Sequence, residues 1–97
     1  MNKDKLPDFS NKCLSIRLKD LDHSHDLCHP KFEWQAGQLF LVGTIPPGSS
    51  ASGWDTNKVS AVLWKRVRSY VVFDSIEEII EAIEISEKFH ELDEKRA

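Results

Sequence analysis

The C-terminal segment places the strongest constraint on the fold, because its pattern indicates one capped helix. In "DSIEEIIEAIEISEKFHELDEKR", residues 74–96, Ser75 is followed three residues later by Glu78, which is the spacing of a capping box. An apolar stripe recurs at helical spacing and contains Ile76, Ile79, Ile80 and Ile83. Such a stripe must be covered, so we predict a long amphipathic helix packed against a sheet.

A second apolar stripe follows on nearly the opposite side of the same helix. It contains Ile85, Phe89 and Leu92, and glutamates occupy the flanks between the two stripes. One sheet cannot cover both stripes of a straight helix. Either the helix ends near Ser86 and its tail folds back, or these three residues meet a second subunit. We predict the second arrangement, a homodimer with Ile85, Phe89 and Leu92 at the interface.

Strand patterns occupy much of the remaining chain. "CLSIRL", Cys13–Leu18, alternates apolar and polar residues as a half-buried strand does. Residues 31–35 and 38–45 predict a hairpin around a turn at Ala36 and Gly37. Residues 58–73 lack turn residues and carry helical spacing, so we predict a helix or helical turns over 59–68 and a strand over 69–73. The β-branched residues of the same segment favour a strand, which stays the alternative for 58–68. The predicted class is α+β, with an antiparallel sheet of three to five strands.

Composition limits the classes of function. The chain has 97 residues, which fits a single domain over residues 13–97 after a flexible arm over 1–12. A net charge of -3 gives no general attraction to nucleic acid or to anionic membranes. No apolar run approaches the length of a membrane span, and no secretory signal is present. With two cysteines and no paired framework, we predict a cytoplasmic protein, although a Cys13–Cys28 disulfide is an alternative.

The stretch "LDHSHDLCHP", residues 21–30, concentrates the metal-binding residue types. His23, His25 and Cys28 are candidate ligands for zinc, which prefers four nitrogen or sulfur ligands. The spacing matches no standard zinc pattern, and the second ligand pair is missing. We therefore favour a solvated polar loop with no cofactor, and keep a metal-dependent protein or enzyme that uses residues 22–29 as the alternative.

Aromatic residues supply the remaining candidate contacts. Trp54 lies in "PPGSSASGWDTN", residues 46–57, hereafter the Gly/Ser loop, where a core position is not required. In "WKRVRSY" the aromatic residues alternate with cations, a composition that suits nucleic acid, a core, or ion pairs with the acidic helix. We favour the core and ion-pair interpretation over nucleic acid. The candidate contacts with a ligand or partner are Trp34, Trp54, Trp64, Tyr70, Arg66 and Arg68.

The runs "VGTIPPGSSASGW" and "YVVFDSIEEIIEAIEIS" resemble, in general character, small orphan proteins of bacterial mobile (integron) gene cassettes. The resemblance covers about half the chain and transfers no functional residue. It implies a compact α+β domain that is often oligomeric. Toxin-immunity proteins share this size and acidity and give a second alternative. We expect a small soluble domain that binds a protein or a small molecule and associates with itself.

Overall fold

The computed structural model of the chain describes residues 5–21, 24–50 and 52–96, with side chains described through Phe89. Within these ranges one antiparallel sheet is followed by one C-terminal helix, so the predicted α+β class is confirmed. The strands and the helix are β1 (Cys13–Leu18), β2 (Ser24–Gln35), β3 (Gln38–Thr44), β4 (Val59–Leu63), β5 (Val67–Phe73) and α1 (Ile76–Arg96).

The sheet is strongly curled, because its two edge strands are joined by very little chain. The strand order is β4-β3-β2-β1-β5, and a three-residue 3₁₀ turn, Trp64–Arg66, connects the two edges. In a flat sheet the edges would lie about 19 Å apart, at about 4.8 Å per strand. A 3₁₀ turn advances only about 2 Å per residue, so the sheet must bend until its inner face is enclosed.

The helix predicted over residues 59–68 is therefore wrong. These residues form β4, the 3₁₀ turn and the start of β5, while the strand predicted over 69–73 is confirmed within β5. The β-branched residues of this segment favour the strand conformation. No glycine or proline is needed, because the chain passes from one edge strand to the other through the 3₁₀ turn rather than a tight hairpin.

The hairpin between β2 and β3 is confirmed. Ala36 and Gly37 both have positive φ, at 50° and 78°, which is the geometry of the two-residue turn that matches strand twist. The register places Gln35 opposite Gln38 and Phe32 opposite Leu41. The turn residues therefore fix which side chains of β2 and β3 face the core.

The solvated loop predicted for residues 21–30 is wrong from Ser24 onward, because β2 begins there and contains a bulge. The register shifts between Cys28 and Lys31, and His29 adopts a φ of 52°. The extra residue lets Leu27 and Phe32 both contribute to the inner core, although an uninterrupted strand would turn them to opposite faces. Pro30 is tolerated because the bulge needs no hydrogen bond from its nitrogen.

The inner face of the sheet holds an aromatic core. The ring of Phe9 lies 5.1 Å from that of Tyr70, and the ring of Trp64 lies 5.1 Å from that of Phe32, both edge-to-face. Phe9 is 5 % exposed and comes from the segment predicted as a flexible arm. The core thus uses a residue that precedes the predicted domain boundary. Its other buried members are Leu14, Ile16, Leu27, Leu41, Ile45, Val62 and Val67.

The outer face carries α1 over a smaller apolar cluster. Cys13 and Cys28 are opposite each other on β1 and β2, are joined by a disulfide, and pack with the buried side chain of Ile79. The cap of α1 is confirmed at Ser75, whose Oγ accepts a hydrogen bond from the Glu78 N–H at 3.2 Å. The carboxylate of Glu78 accepts from the Asp74 N–H, one residue before the position that a standard capping box uses.

Candidate functional site

A cleft forms where the first residues of β2 face the Gly/Ser loop. The pairing of β2 with β3 begins at Cys28 and Thr44, so residues 24–27 have no β3 partner. After Thr44 the chain leaves the sheet and enters the loop. The loop is closed at its base, because the Ile45 N–H donates to the Lys58 carbonyl at 3.0 Å and the Asn57 N–H donates to the Ile45 carbonyl at 2.8 Å.

Hydrogen bonds within the loop fix the position of Trp54. The Ser50 hydroxyl donates to Asp55 Oδ1 at 2.7 Å and accepts from the Gly53 N–H at 3.2 Å. Gly53 has a φ of 71°, a left-handed conformation that costs glycine little. Trp54 lies between Gly53 and Asp55 in the chain and is 77 % exposed.

The cleft has a volume of about 290 Å³, and most of its described lining residues have polar side chains. From β2 it receives Asp26, which is only 7 % exposed and accepts a hydrogen bond from the Ser49 hydroxyl at 2.9 Å. His25 lies 2.9 Å from the Ser60 hydroxyl through its Nε2. The described lining residues are Ser24, His25, Asp26, Ile45, Ser49, Ser50, Trp54 and Asp55.

A second, more apolar cavity lies at the other end of the β2–β3 hairpin. It has about 250 Å³ and is bordered by Trp34, which is 71 % exposed. Leu39, Leu63 and Lys65 complete much of its wall. Trp64 contributes one edge to this cavity, but only 4 % of its surface is exposed and its ring belongs to the inner core.

The other predicted contact residues are not brought to the cleft. Tyr70 is half-buried in the aromatic core. Arg66 donates to the Lys19 carbonyl at 3.2 Å and lies 3.8 Å from an Asp20 carboxylate oxygen. Arg68 is exposed on β5. Among the predicted contacts, Trp54 is therefore the one that borders the cleft.

The candidate metal ligands are separated by the sheet. Residues 25 and 27 of β2 face the inner side, whereas residues 26 and 28 face α1, so His25 and Cys28 lie on opposite faces. The sulfur of Cys28 is also bonded to Cys13. Over the described ranges no group of three or more His, Cys, Asp or Glu residues is arranged to hold a metal ion. His23 lies outside the described residues.

The predicted dimer residues are exposed where the structure describes them. Ile85 is 62 % exposed and Phe89 is 65 % exposed, although both are apolar. The side chain of Leu92 lies outside the described residues. None of the helical segments in the described part of the chain has the length and hydropathy of a transmembrane span.

Sequence reasoning missed Asp26, Ser49 and Ser50 as neighbours in one site. Asp26 and Ser49 are separated by 23 positions, and no motif links them. The Gly/Ser composition predicted a loop but none of its contacts. The sequence feature that could have indicated this site is a tryptophan within a Gly/Ser-rich loop, where a large aromatic residue is not needed for the core.

No protein-family model, curated protein or solved structure matches this chain. The geometry of the cleft is therefore what supports a function.

Proposed function

We propose that the chain is a small soluble binding domain whose ligand site is the cleft between β2 and the Gly/Ser loop. The observation that carries this proposal is the placement of Trp54. A large aromatic side chain is exposed beside a cavity that contains several polar side chains, on a loop whose base and interior are held by hydrogen bonds. Binding sites commonly combine an aromatic wall with a few fixed polar groups in this way.

Ligand-observed NMR with a mixed library of small fragments tests the proposal. Fragments with anionic, neutral and cationic groups are each screened against the wild-type chain and two variants. Trp54→Ala is expected to abolish the saturation-transfer signals of cleft binders. Trp34→Ala is the matched control, because it removes an equally exposed indole from the other cavity. Signals that survive Trp54→Ala and disappear in Trp34→Ala would contradict the proposal.

We propose further that the domain forms a homodimer through the second apolar stripe of α1. Exposed Ile85 and Phe89 support this, since removing such side chains from water contributes about 1.5–3 kcal/mol each. On this view α1 is a long helix with two apolar sides, one on the sheet and one on the partner. Leu92 belongs to the same stripe in sequence.

Sedimentation velocity tests the dimer. Phe89→Asp places a charge at the proposed contact and is expected to yield monomers. Lys88→Asp, which introduces the same group at the neighbouring exposed position, is expected to leave the dimer intact. A dimer that survives Phe89→Asp, or a wild-type chain that is monomeric at high concentration, would exclude this interface.

The relation to mobile gene-cassette proteins is a prediction that rests on general character. A cytoplasmic location is supported by the low cysteine count, whereas the Cys13–Cys28 disulfide supports an oxidising compartment. Alkylation of thiols in intact cells, followed by mass spectrometry, decides between the compartments. Metal dependence is not supported by the separation of His25 from Cys28 across the sheet.

A further inference from the structure

We infer that the cleft beside Trp54 takes a guanidinium group, either from a free small molecule or from an arginine side chain of a partner. The inference rests on the proposed binding site and specifies its ligand. It follows from three observations on the same cavity: a buried carboxylate, a second carboxylate at the loop, and an exposed indole.

The carboxylate of Asp26 is the central observation. It is 7 % exposed, and the one hydrogen bond that it accepts from the described residues reaches Oδ2 from Ser49. Oδ1 accepts none from those residues. A buried carboxylate normally has a cation or several donors near it, because burial removes the water that stabilises its charge. Asp26 thus offers an acceptor that a ligand's N–H group can fill.

In the described part of the chain, no lysine or arginine side chain pairs with the Asp26 carboxylate. The lining of the cleft contains no lysine or arginine, and neither does the smaller cavity on the other side of Asp26, toward α1. The described ion pairs use Asp74 and Asp20. Asp55 adds a second carboxylate, and one of its oxygens accepts from Ser50. His25 is the one imidazole in the described lining.

The indole of Trp54 selects among cations. A guanidinium is planar, carries five N–H donors and is weakly hydrated, so it stacks on an aromatic face while donating to carboxylates. An ammonium is more strongly hydrated and has no face to stack. A cleft that joins two carboxylates to an exposed indole therefore fits a guanidinium best.

Isothermal titration calorimetry of the full chain tests the inference at about pH 8, above the ordinary His pKa of about 6.5. One arm uses methylguanidinium, which carries a guanidinium and no second charged group, and the other uses the blocked peptide acetyl-Gly-Arg-Gly-amide. The matching peptide with citrulline is the neutral control, because it replaces the guanidinium by a urea of the same shape. The arm that binds more tightly identifies the source of the group.

The expected result is binding of at least one guanidinium probe, and binding of the citrulline peptide that is about tenfold weaker or absent. Asp55→Asn and Trp54→Ala should each weaken binding about tenfold, whereas Trp34→Ala should leave it unchanged. Asp26→Asn is expected to weaken binding of the guanidinium probes more than Asp55→Asn does. If the Asp26→Asn variant does not fold, Asp55→Asn still tests the role of the carboxylates.

Equal binding of the arginine and citrulline peptides would overturn the inference, and so would binding that survives both Asp55→Asn and Trp54→Ala. The fragment screen separates this failure from that of the proposed function. If neutral or anionic fragments occupy the cleft and no guanidinium does, the ligand class is wrong and the binding site stands. If no fragment is sensitive to Trp54→Ala, both are wrong.

Discussion

Trp54 and Trp34 are almost equally exposed, at 77 % and 71 %, yet they border cavities of different chemistry. The cavity at Trp54 is lined by hydroxyls, a histidine and two carboxylates. The cavity at Trp34 is lined mainly by leucine, the edge of Trp64 and the chain of Lys65. Exposure alone therefore does not mark a binding residue. The fixed polar groups around Trp54 are the reason that we propose its cavity as the binding site.

The largest expected effect on stability comes from Trp64, which is buried in the core, unlike the exposed Trp34 and Trp54. Trp64→Ala removes a buried ring that contacts Phe32 and Tyr70, and should lower the free energy of unfolding by about 3–5 kcal/mol. Trp34→Ala and Trp54→Ala should change it by less than about 0.5 kcal/mol. Urea unfolding followed by circular dichroism measures all three. A cost for Trp54→Ala close to that of Trp64→Ala would mean that the Gly/Ser loop is part of the core.

The disulfide on the outer face should have the next largest effect. Cys13 and Cys28 are 15 positions apart, and loss of a bridge of this loop size lowers the free energy of unfolding by about 2–4 kcal/mol. Cys13→Ser should therefore unfold at lower urea than the oxidised wild type. Reductant should destabilise the wild type and leave the Cys13→Ser/Cys28→Ser double variant unchanged. If the oxidised and reduced wild-type chains are equally stable, the Cys13–Cys28 disulfide does not stabilise the fold.

Ser49 tests how the cleft at Trp54 is assembled. Ser49→Ala leaves the buried Asp26 without its described donor, and should lower the free energy of unfolding by about 1–3 kcal/mol. Ser52→Ala is the control, because this exposed serine lies on the same loop. Thermal unfolding of the two variants provides the comparison. If they are equally stable, the Ser49–Asp26 hydrogen bond does not hold the loop against β2.

Ala36 tests the hairpin near Trp34 with a smaller effect. Its φ of 50° is unfavourable for alanine by about 1–2 kcal/mol, whereas asparagine tolerates this conformation. Ala36→Asn should therefore stabilise the chain by about 1 kcal/mol, and Ala36→Val should destabilise it. Differential scanning calorimetry of both variants measures the change. The opposite order would contradict the assigned turn.

The smallest expected effect belongs to the pair of Lys12 and Asp74, which lines neither cavity. The Lys12 ammonium, 2.8 Å from Asp74 Oδ1, lowers the pKa of that carboxyl and has its own pKa raised in return. The carboxylate's contribution is present above the ordinary Asp pKa and is lost as the pH falls through the lowered value. NMR titration of Asp74 should show its pKa rising toward the ordinary value in Lys12→Gln. An unchanged pKa would exclude the pair.

Local patterns predicted the elements that local forces determine. The Ser75 cap, the strand Cys13–Leu18 and the Ala36-Gly37 turn each depend on neighbours within a few residues, and each is confirmed. The helix predicted for residues 59–68 was wrong because two sequence signals conflict there: the apolar spacing favours a helix, whereas the β-branched content favours a strand. Pairing with β3 decides that conflict, and it involves residues far away in the sequence.

The candidate site could be predicted only in part. Trp54 was identified from its loop, but Asp26 and Ser49 meet because β2 extends past the end of β3 and the loop folds over it. The His29 bulge interrupts the alternation that would have revealed β2, so residues 24–30 looked like a loop. Phe9 was missed because its partners Phe32 and Tyr70 lie on other strands.

We propose that the ligand binds in the cavity at Trp54 and not in the one at Trp34. Protein-observed NMR tests it most directly, because each tryptophan gives one indole N–H resonance that a single Trp→Phe variant assigns. When a fragment or guanidinium compound that binds the chain is titrated in, the resonance of Trp54 should shift until binding is saturated, while that of Trp34 should not move. A saturable shift of Trp34 with Trp54 unmoved would contradict the account.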